Sequence, residues 1–275
     1  MSESLYLKAL FRSFSFQQEL LFGVKVIKDD ILNSIENAYN NPVSCRDCRM
    51  STLCIPLSLR SDELYKLDQI IQRGSPFQMR QAVFNSGDKF TAVYAVRSGS
   101  IKSFCIDNDG REQVTGFYLP GEIFGWDGLA EGYYQNTAIA LETTSVCEIP
   151  FNQLELLGAT LPSIRKHMLK LVGREITADQ KLIALLAGNT AHQRLASLLM
   201  SISGRLAQQK LSSTRFRLPM SRSEISSYLG LTVETVSRGF SHFKKKGYLT
   251  VNKKEVELVD IPGLELLISN PEECE

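Results

Sequence analysis

The chain has 275 residues, 43% hydrophobic and 22% charged, with a formal net charge of +1. That leaves room for two domains with packed cores and argues against extended disorder. No apolar run reaches the ~18 residues a membrane span needs, and the nearest stretch, "ELLFGVKVI", contains Glu19 and Lys25.

Lys8 and Arg12 are not followed by an apolar segment with a small-residue cleavage site, so no secretory signal is expected and a cytoplasmic location is. In a reducing compartment, clustered cysteines point to metal or redox chemistry rather than to disulfides. The charge is uneven. Residues 190–254 hold twelve Lys/Arg against Glu224 and Glu234, a balance of +10 that leaves −9 on the rest. A basic block of this size is a footprint for nucleic acid, although by itself it equally describes a solvated surface.

Residues 1–44 read as a leader with some helical pattern and no recognisable chemistry. Residues 45–62 form a cysteine segment, in which "SCRDCRMSTLC" sets Cys45, Cys48 and Cys54 in the spacing C-x2-C-x5-C. Three thiolates on a loop need a fourth ligand, and Cys105, Cys147 and Cys274 are the candidates. Structural zinc usually shows two paired knuckles. One pair with a wider gap and a distant partner also suits a 4Fe–4S cluster, and spacing alone leaves both open.

Residues 63–160 change to short strands. "AVYAV", "SIKSFCI", "EQVTGFYL" and "SVCEIPF" are separated by "RSGS", "DNDG" and "PGE", which predicts an antiparallel β-roll. Residues 161–188 predict one long helix with Pro162 in its first turn. Met168, Val172, Ile176, Asp179, Ile183 and Leu186 recur at coiled-coil spacing, a dimer seam that contains a carboxylate. The competing reading is a helix packed on its own domain, with Asp179 at the fringe.

Residues 189–275 predict a winged helix-turn-helix. Ser221 and Glu224 make a capping box, Ile225 and Leu229 an apolar face, and Gly230 the turn. Thr232 caps the next helix, which buries Val236, Phe240 and Phe243 and ends in Lys244, Lys245 and Lys246. "YLTV" and "EVELV" follow as a wing. Glu234, Ser237, Arg238 and Ser241 share the outward face of that second helix, as base-reading residues do. The structural alternative is a plain Glu234–Arg238 ion pair. An enzyme would need a nucleophile and base or an open metal site. His167, His192 and His242 lie far apart on separate helices and are expected at surfaces, so no catalytic residues are expected.

"LGLTVETVSR" resembles the recognition element of the cyclic-AMP-receptor superfamily, in its fumarate and nitrate reduction regulator branch. "RDCRMSTLCIP", "YAVRSGSIKS", "VTGFYLPGEIFG" and "ALETTSVCEIPF" resemble it too, so the similarity runs from about residue 44 to 260. The resemblance implies an α+β protein built from a β-roll, a dimer helix and a C-terminal winged helix. It selects Cys147 as fourth ligand beside Cys45, Cys48 and Cys54, and favours an oxygen-labile 4Fe–4S cluster that rearranges to a smaller form when oxidised.

It further implies a regulator that dimerises when cluster-bound, binds two-fold TTGAT-type double-stranded DNA and contacts RNA polymerase. The alternative is a zinc-stabilised or cluster-free regulator of the same superfamily answering another signal. Arg46 and Arg49 flank Cys48, and cations there would favour the reduced cluster. Arg111 stands where relatives often carry an acidic residue thought to face polymerase, which puts that contact in doubt. Gly121 and Glu122 resemble the ribose-binding turn of a cyclic-nucleotide pocket. The stretch expected to supply the phosphate-binding arginine reads "YYQNTAIA", with Gln135, Asn136 and Thr137, so cyclic-nucleotide binding is not expected.

Overall fold

The computed structural model describes residues 44–50, 53, 54 and 59–269, so expectations for residues 1–43 and for Cys274 lie outside the described residues. Helix α1 (Ser61–Ile70) precedes seven strands. These are β1 (Ala82–Phe84), β2 (Ala92–Ser98), β3 (Ile101–Ile106), β4 (Glu112–Tyr118), β5 (Ile123–Phe124), β6 (Thr137–Ala140) and β7 (Ser145–Pro150). They pair antiparallel in two sheets, ordered β1–β6–β3–β4 and β5–β2–β7, which is the expected roll.

Successive strand residues point to opposite faces. Tyr94 and Val96 of β2 pack into the roll with Phe84, Phe124, Tyr134 and Ala138. Val93 and Ala95 point the other way, onto a layer of helices. Burial on both faces explains why β2 reads as an unbroken apolar run rather than an alternating one.

That helical layer is α1, α2 (Phe151–Thr160) and the first half of α3 (Pro162–Gly188), which place Leu67, Leu154, Ile164 and Leu171 on the sheet. Proline at the first position of α3 sets φ without sacrificing a bonded N–H. The second half of α3 extends beyond this core. Leu169, Ile176 and Ile183 are 69%, 53% and 66% exposed, an apolar line with no cover in the single chain. Met168 and Val172 pack partly against the roll's helical core. The exposed line therefore starts at Leu169, not Met168, and passes through Asp179.

The C-terminal region comprises α4 (Ala191–Gln208), β8 (Arg215–Arg217), α5 (Arg222–Leu229), α6 (Val233–Lys245), β9 (Leu249–Asn252), β10 (Glu255–Leu258) and α7 (Ile261–Ser269). The wing has three strands, ordered β8–β10–β9, where the sequence pattern showed only a hairpin. Leu195, Leu199, Ile202, Ile225, Val236, Phe240 and Phe243 form its core. Val114, Phe117 and Leu119, on and just after β4, belong to the same core, so the helix-turn-helix is docked on the roll. Ser227 on α5 clasps β4: its Oγ accepts from Val114 N at 2.8 Å and donates to Glu112 O at 2.8 Å.

Candidate functional site

The segment carrying Cys45, Cys48 and Cys54 folds back on itself. Leu53 N and Cys54 N both donate to Met50 O, at 2.9 and 3.0 Å. The turn at Gly121, with φ +89, lies against it, and a Cβ there would stand 2.9 Å from Leu53 Cβ. Only glycine serves at this position, because it accepts the left-handed backbone and admits the loop.

Cys147 arrives from β7, where it pairs with Ala95 of β2. Cys45, Cys48, Cys54 and Cys147 then line one cavity of about 30 Å³, walled by Met50, Ile71, Ala95, Val96, Arg97 and Ile149. None of the four forms a disulfide among the described residues; Cys45 is buried and the others are half-buried. Cys105, also on a strand, pairs with Gln113 on the other sheet and is not part of this cavity. Among the described residues no three His, Cys, Asp or Glu side chains converge closely enough to hold a single metal ion.

Behind the lining of the cavity lies a buried cation that the sequence did not reveal. Gln72 and Glu148 form an isolated antiparallel bridge, with N–H donors to each other's carbonyls at 2.8 and 2.9 Å. That register places Arg73 across from Cys147. The Arg73 side chain is only 9% exposed. Its Nη2 donates to Cys45 Sγ at 3.4 Å and also to Asp68 Oδ1. Asp68 Oδ1 in turn accepts from Cys45 N at 2.9 Å.

Burial pushes the Cys45 thiol well up, helped by its hydrogen bond to Asp68, while the Arg73 charge opposes the rise. Burial likewise raises Cys147, against the charges of Arg73 and Arg97. Burial works to raise Asp68 too, but hydrogen bonds from Cys45 N and Arg73 win and its carboxyl is lowered. Arg46 and Arg49, the cations expected beside the site, are exposed and do not line the cavity.

The histidines correct a second expectation. His167 is buried on α3, and burial lowers its pKa, while its imidazole hydrogen-bonds the Cys54 backbone. His192 and His242 are half-buried and stack, with ring centroids 4.5 Å apart.

In the helix-turn-helix, Ser221 Oγ accepts from Glu224 N at 3.2 Å and Glu224 Oε2 accepts from Ser221 N at 2.6 Å. Gly230 ends α5 at φ 61, and Thr232 Oγ1 accepts from Thr235 N at 3.1 Å to start α6. Val236, Phe240 and Phe243 face inward, leaving Glu234, Ser237, Arg238, Ser241 and the three lysines exposed. Hydrogen bonding at the helix N-terminus lowers the Glu234 carboxyl, first through its own backbone N–H and then through Thr232. Among the described residues Glu234 and Arg238 form no ion pair with each other, although the Arg238 charge contributes to lowering Glu234.

Glu122, at the ribose-like turn, is occupied from within the chain. Its Oε2 accepts from Leu119 N at 2.8 Å and from Arg205 Nη1 of α4 at 3.0 Å. Nearby, Asp127 Oδ2 takes the backbone N–H groups of Gln135 and Asn136 at 3.0 and 2.8 Å. Tyr118 donates to Glu175 Oε1 of α3 at 2.9 Å. Glu122 and Asp127 stand close enough to Glu175 for their charges to raise its pKa alongside burial.

A winged helix-turn-helix with an exposed basic reading helix, packed on a β-roll, defines a DNA-binding transcription regulator and not an enzyme. Residues 193–267 match the Crp-like helix-turn-helix domain, and residues 75–160 match the cyclic nucleotide-binding domain. The transcriptional activator protein FnrA of Stutzerimonas stutzeri is 45% identical over 231 residues, covering 84% of this chain and 95% of that protein. The fumarate and nitrate reduction regulatory protein of Escherichia coli K12 is 45% identical over 216 residues, covering 78% of this chain and 86% of that one. The solved structure of FixK2 from Bradyrhizobium japonicum superimposes with a TM-score of 0.66 at 28% identity, covering 72% of this chain and 97% of that chain. The chain belongs to the FNR/Anr branch of the Crp family of transcription regulators.

Proposed function

We propose that this regulator is an oxygen sensor in the cytoplasm, holding a 4Fe–4S cluster on Cys45, Cys48, Cys54 and Cys147. The observation that carries this reading is that four cysteines from two distant segments line one cavity. Four thiolates supply one ligand for each iron corner of such a cluster, and one C-x2-C pair with a lone third cysteine and a distant fourth departs from the two paired knuckles usual for structural zinc. When bound, the cluster supplies an oxygen-labile core. The protein's part is to hold it, shield it with Met50, Ile71 and Ile149, and order the loop against α3.

On this reading α3 forms the homodimer through Leu169, Val172, Ile176, Asp179, Ile183 and Leu186. Glu234, Ser237 and Arg238 read two TTGAT-type half-sites. Glu122 answers to Arg205 rather than to a cyclic nucleotide. RNA polymerase is contacted elsewhere than at Arg111, whose guanidinium is held by Asp107 and Asp109 at 3.2 and 2.5 Å.

Anaerobic purification tests the reading. The expected product is brown, carries iron and acid-labile sulfide, and binds operator DNA until air is admitted. Serine at Cys45, Cys48, Cys54 or Cys147 is expected to abolish the colour, and serine at Cys105 to leave it. A colourless protein with stoichiometric zinc would overturn the cluster assignment.

A further inference from the structure

The Arg73 side chain stands among cysteine thiols in a position that ion pairing with Asp68 does not by itself explain. A guanidinium offers five N–H donors in a planar fork. Nη2 is used on Asp68 and on Cys45 Sγ. Nε is buried and has no hydrogen-bond partner among the described residues. The Gln72–Glu148 bridge fixes this fork opposite Cys147. A buried donor left unmet is costly in a finished structure. Asp68 is itself tied to the backbone N–H of Cys45, so cation, carboxylate and first cysteine form one unit.

Resting on the cluster reading above, we propose that Arg73 is the cluster's charge partner, donating hydrogen bonds to the coordinated thiolates of Cys45 and Cys147. Four thiolates carry more negative charge than an iron–sulfide core neutralises. Enclosing that excess in a cavity walled by Ile71, Ala95, Val96 and Ile149 needs a fixed counter-charge. Arg97 lines the cavity and Arg73 stands behind its wall, but Arg73 is the one that already donates to a thiol. A cation and hydrogen bonds at a ligand sulfur also stabilise its thiolate form, the form that binds metal, against protonation and release. Asp68 then acts as a positioning residue, holding the fork in place through one oxygen.

Two variants separate this role from a purely structural one. Arg73→Gln removes the cation and keeps some hydrogen-bonding capacity. Asp68→Asn removes the carboxylate charge but keeps an oxygen that can accept from Arg73 and from Cys45 N, so the guanidinium stays beside Cys45. Both are prepared anaerobically with the wild type and loaded with iron and sulfide. Cluster loss to a chelator is then followed by visible absorbance without oxygen, and folding is checked by circular dichroism.

Arg73→Gln is expected to lose its cluster about 10–100-fold faster than wild type, as ligand-supporting partners typically do. Asp68→Asn, which keeps an acceptor for the guanidinium and leaves the cation beside Cys45, is expected to stay within about threefold of wild type. Arg73→Lys, which keeps charge and volume should the glutamine variant not fold, is expected to fall between. Equal decay of Arg73→Gln and wild type, with equal iron and sulfide, would overturn the proposal and leave the cluster reading intact. Equal acceleration in Arg73→Gln and Asp68→Asn would overturn it too, by showing that only the ion pair matters. A wild type that takes up no iron and sulfide would instead overturn the cluster reading.

Discussion

Arg205 is the charged tie between the helix-turn-helix and the roll, and its removal is a quantitative test of how the two are joined. Its Nη1 serves two acceptors, Phe117 O at 2.8 Å and Glu122 Oε2 at 3.0 Å. The two side chains of the ion pair are 24% and 27% exposed. An exposed pair contributes about 0–1 kcal/mol, and breaking a fully buried one costs about 3–5 kcal/mol. With roughly three-quarters of the pair covered, Arg205→Ala is expected to cost about 2–3 kcal/mol, because it orphans a carboxylate and a carbonyl together.

Glu122→Gln keeps the shape and an acceptor, so about 1 kcal/mol is expected. Burial raises the Glu122 carboxyl above 4.5 even with Arg205 opposing the rise. The folded protein therefore binds this proton more tightly than the unfolded chain does, and the contribution of Glu122 to stability falls as pH rises from 4.5. Without Arg205 the carboxyl rises further, so the loss in Arg205→Ala is expected to shrink as pH is lowered. Urea unfolding of wild type and both variants, at neutral and mildly acidic pH, gives these differences. An Arg205→Ala loss below about 1 kcal/mol, or one that grows toward acid, would refute the argument.

Arg238→Ala is expected to weaken operator binding by about 1–3 kcal/mol and to relax preference at one G·C pair, whereas Lys245→Ala lowers affinity for all sequences alike and flattens the salt slope. Competition binding at several salt concentrations distinguishes them. Asp179→Ala is expected to dimerise in air without a cluster, since two such carboxylates facing each other in the proposed seam would repel or lose solvation, and sedimentation of the aerobic variant checks it. Burial raises Glu175 from 4.5 to about 7, so its contribution to stability falls as pH rises across that window. Glu175→Gln is expected to flatten the pH dependence of the melting temperature there.

What was legible in the sequence was local. The capping box at Ser221 and Glu224, the left-handed Gly230 and the proline-started helix each declare themselves within a few residues. The roll was legible because strands and turns alternate at short spacing. The cavity was not, because Cys147 reaches it through pairing with Ala95, a contact across 52 residues that no spacing encodes. Only family resemblance selected it.

Arg73 was hidden for the same reason, since its burial follows from a bridge to Glu148. Arg46 and Arg49 looked more promising because they are neighbours in sequence, yet a loop tip turns its cations outward. Leu169 and Met168 are adjacent apolar residues on one helix. Which of them faces out depends on how the first half of α3 packs on α2, where Met168 Sδ would lie 3.5 Å from a Cβ at Gly158. His167 did carry a signal that was missed: Ile164 and Leu171 stand three before and four after it, placing it on the buried stripe.

The cavity and the proposed dimer helix are parts of one packed body. Cys54 and Cys147 lie against the same apolar core as Met168, Leu171 and Val172. His167 bonds the Cys54 backbone, and Ser163 at the start of α3 donates to Glu63 Oε1 of α1 at 3.0 Å. A close-packed core transmits displacement because it has few voids to absorb it. Loading of the cysteine loop would therefore bias the first half of α3, and the rigid helix would carry that bias to Ile176, Asp179 and Ile183. The required bias is small. In the proposed dimer, apolar burial along the exposed line would favour association and the facing Asp179 carboxylates would oppose it. A balance of this kind shifts between mostly monomer and mostly dimer with a few kcal/mol. The lever is the packing of α3 on the cysteine loop, so substitutions at His167 should alter dimerisation without touching a cysteine or the seam.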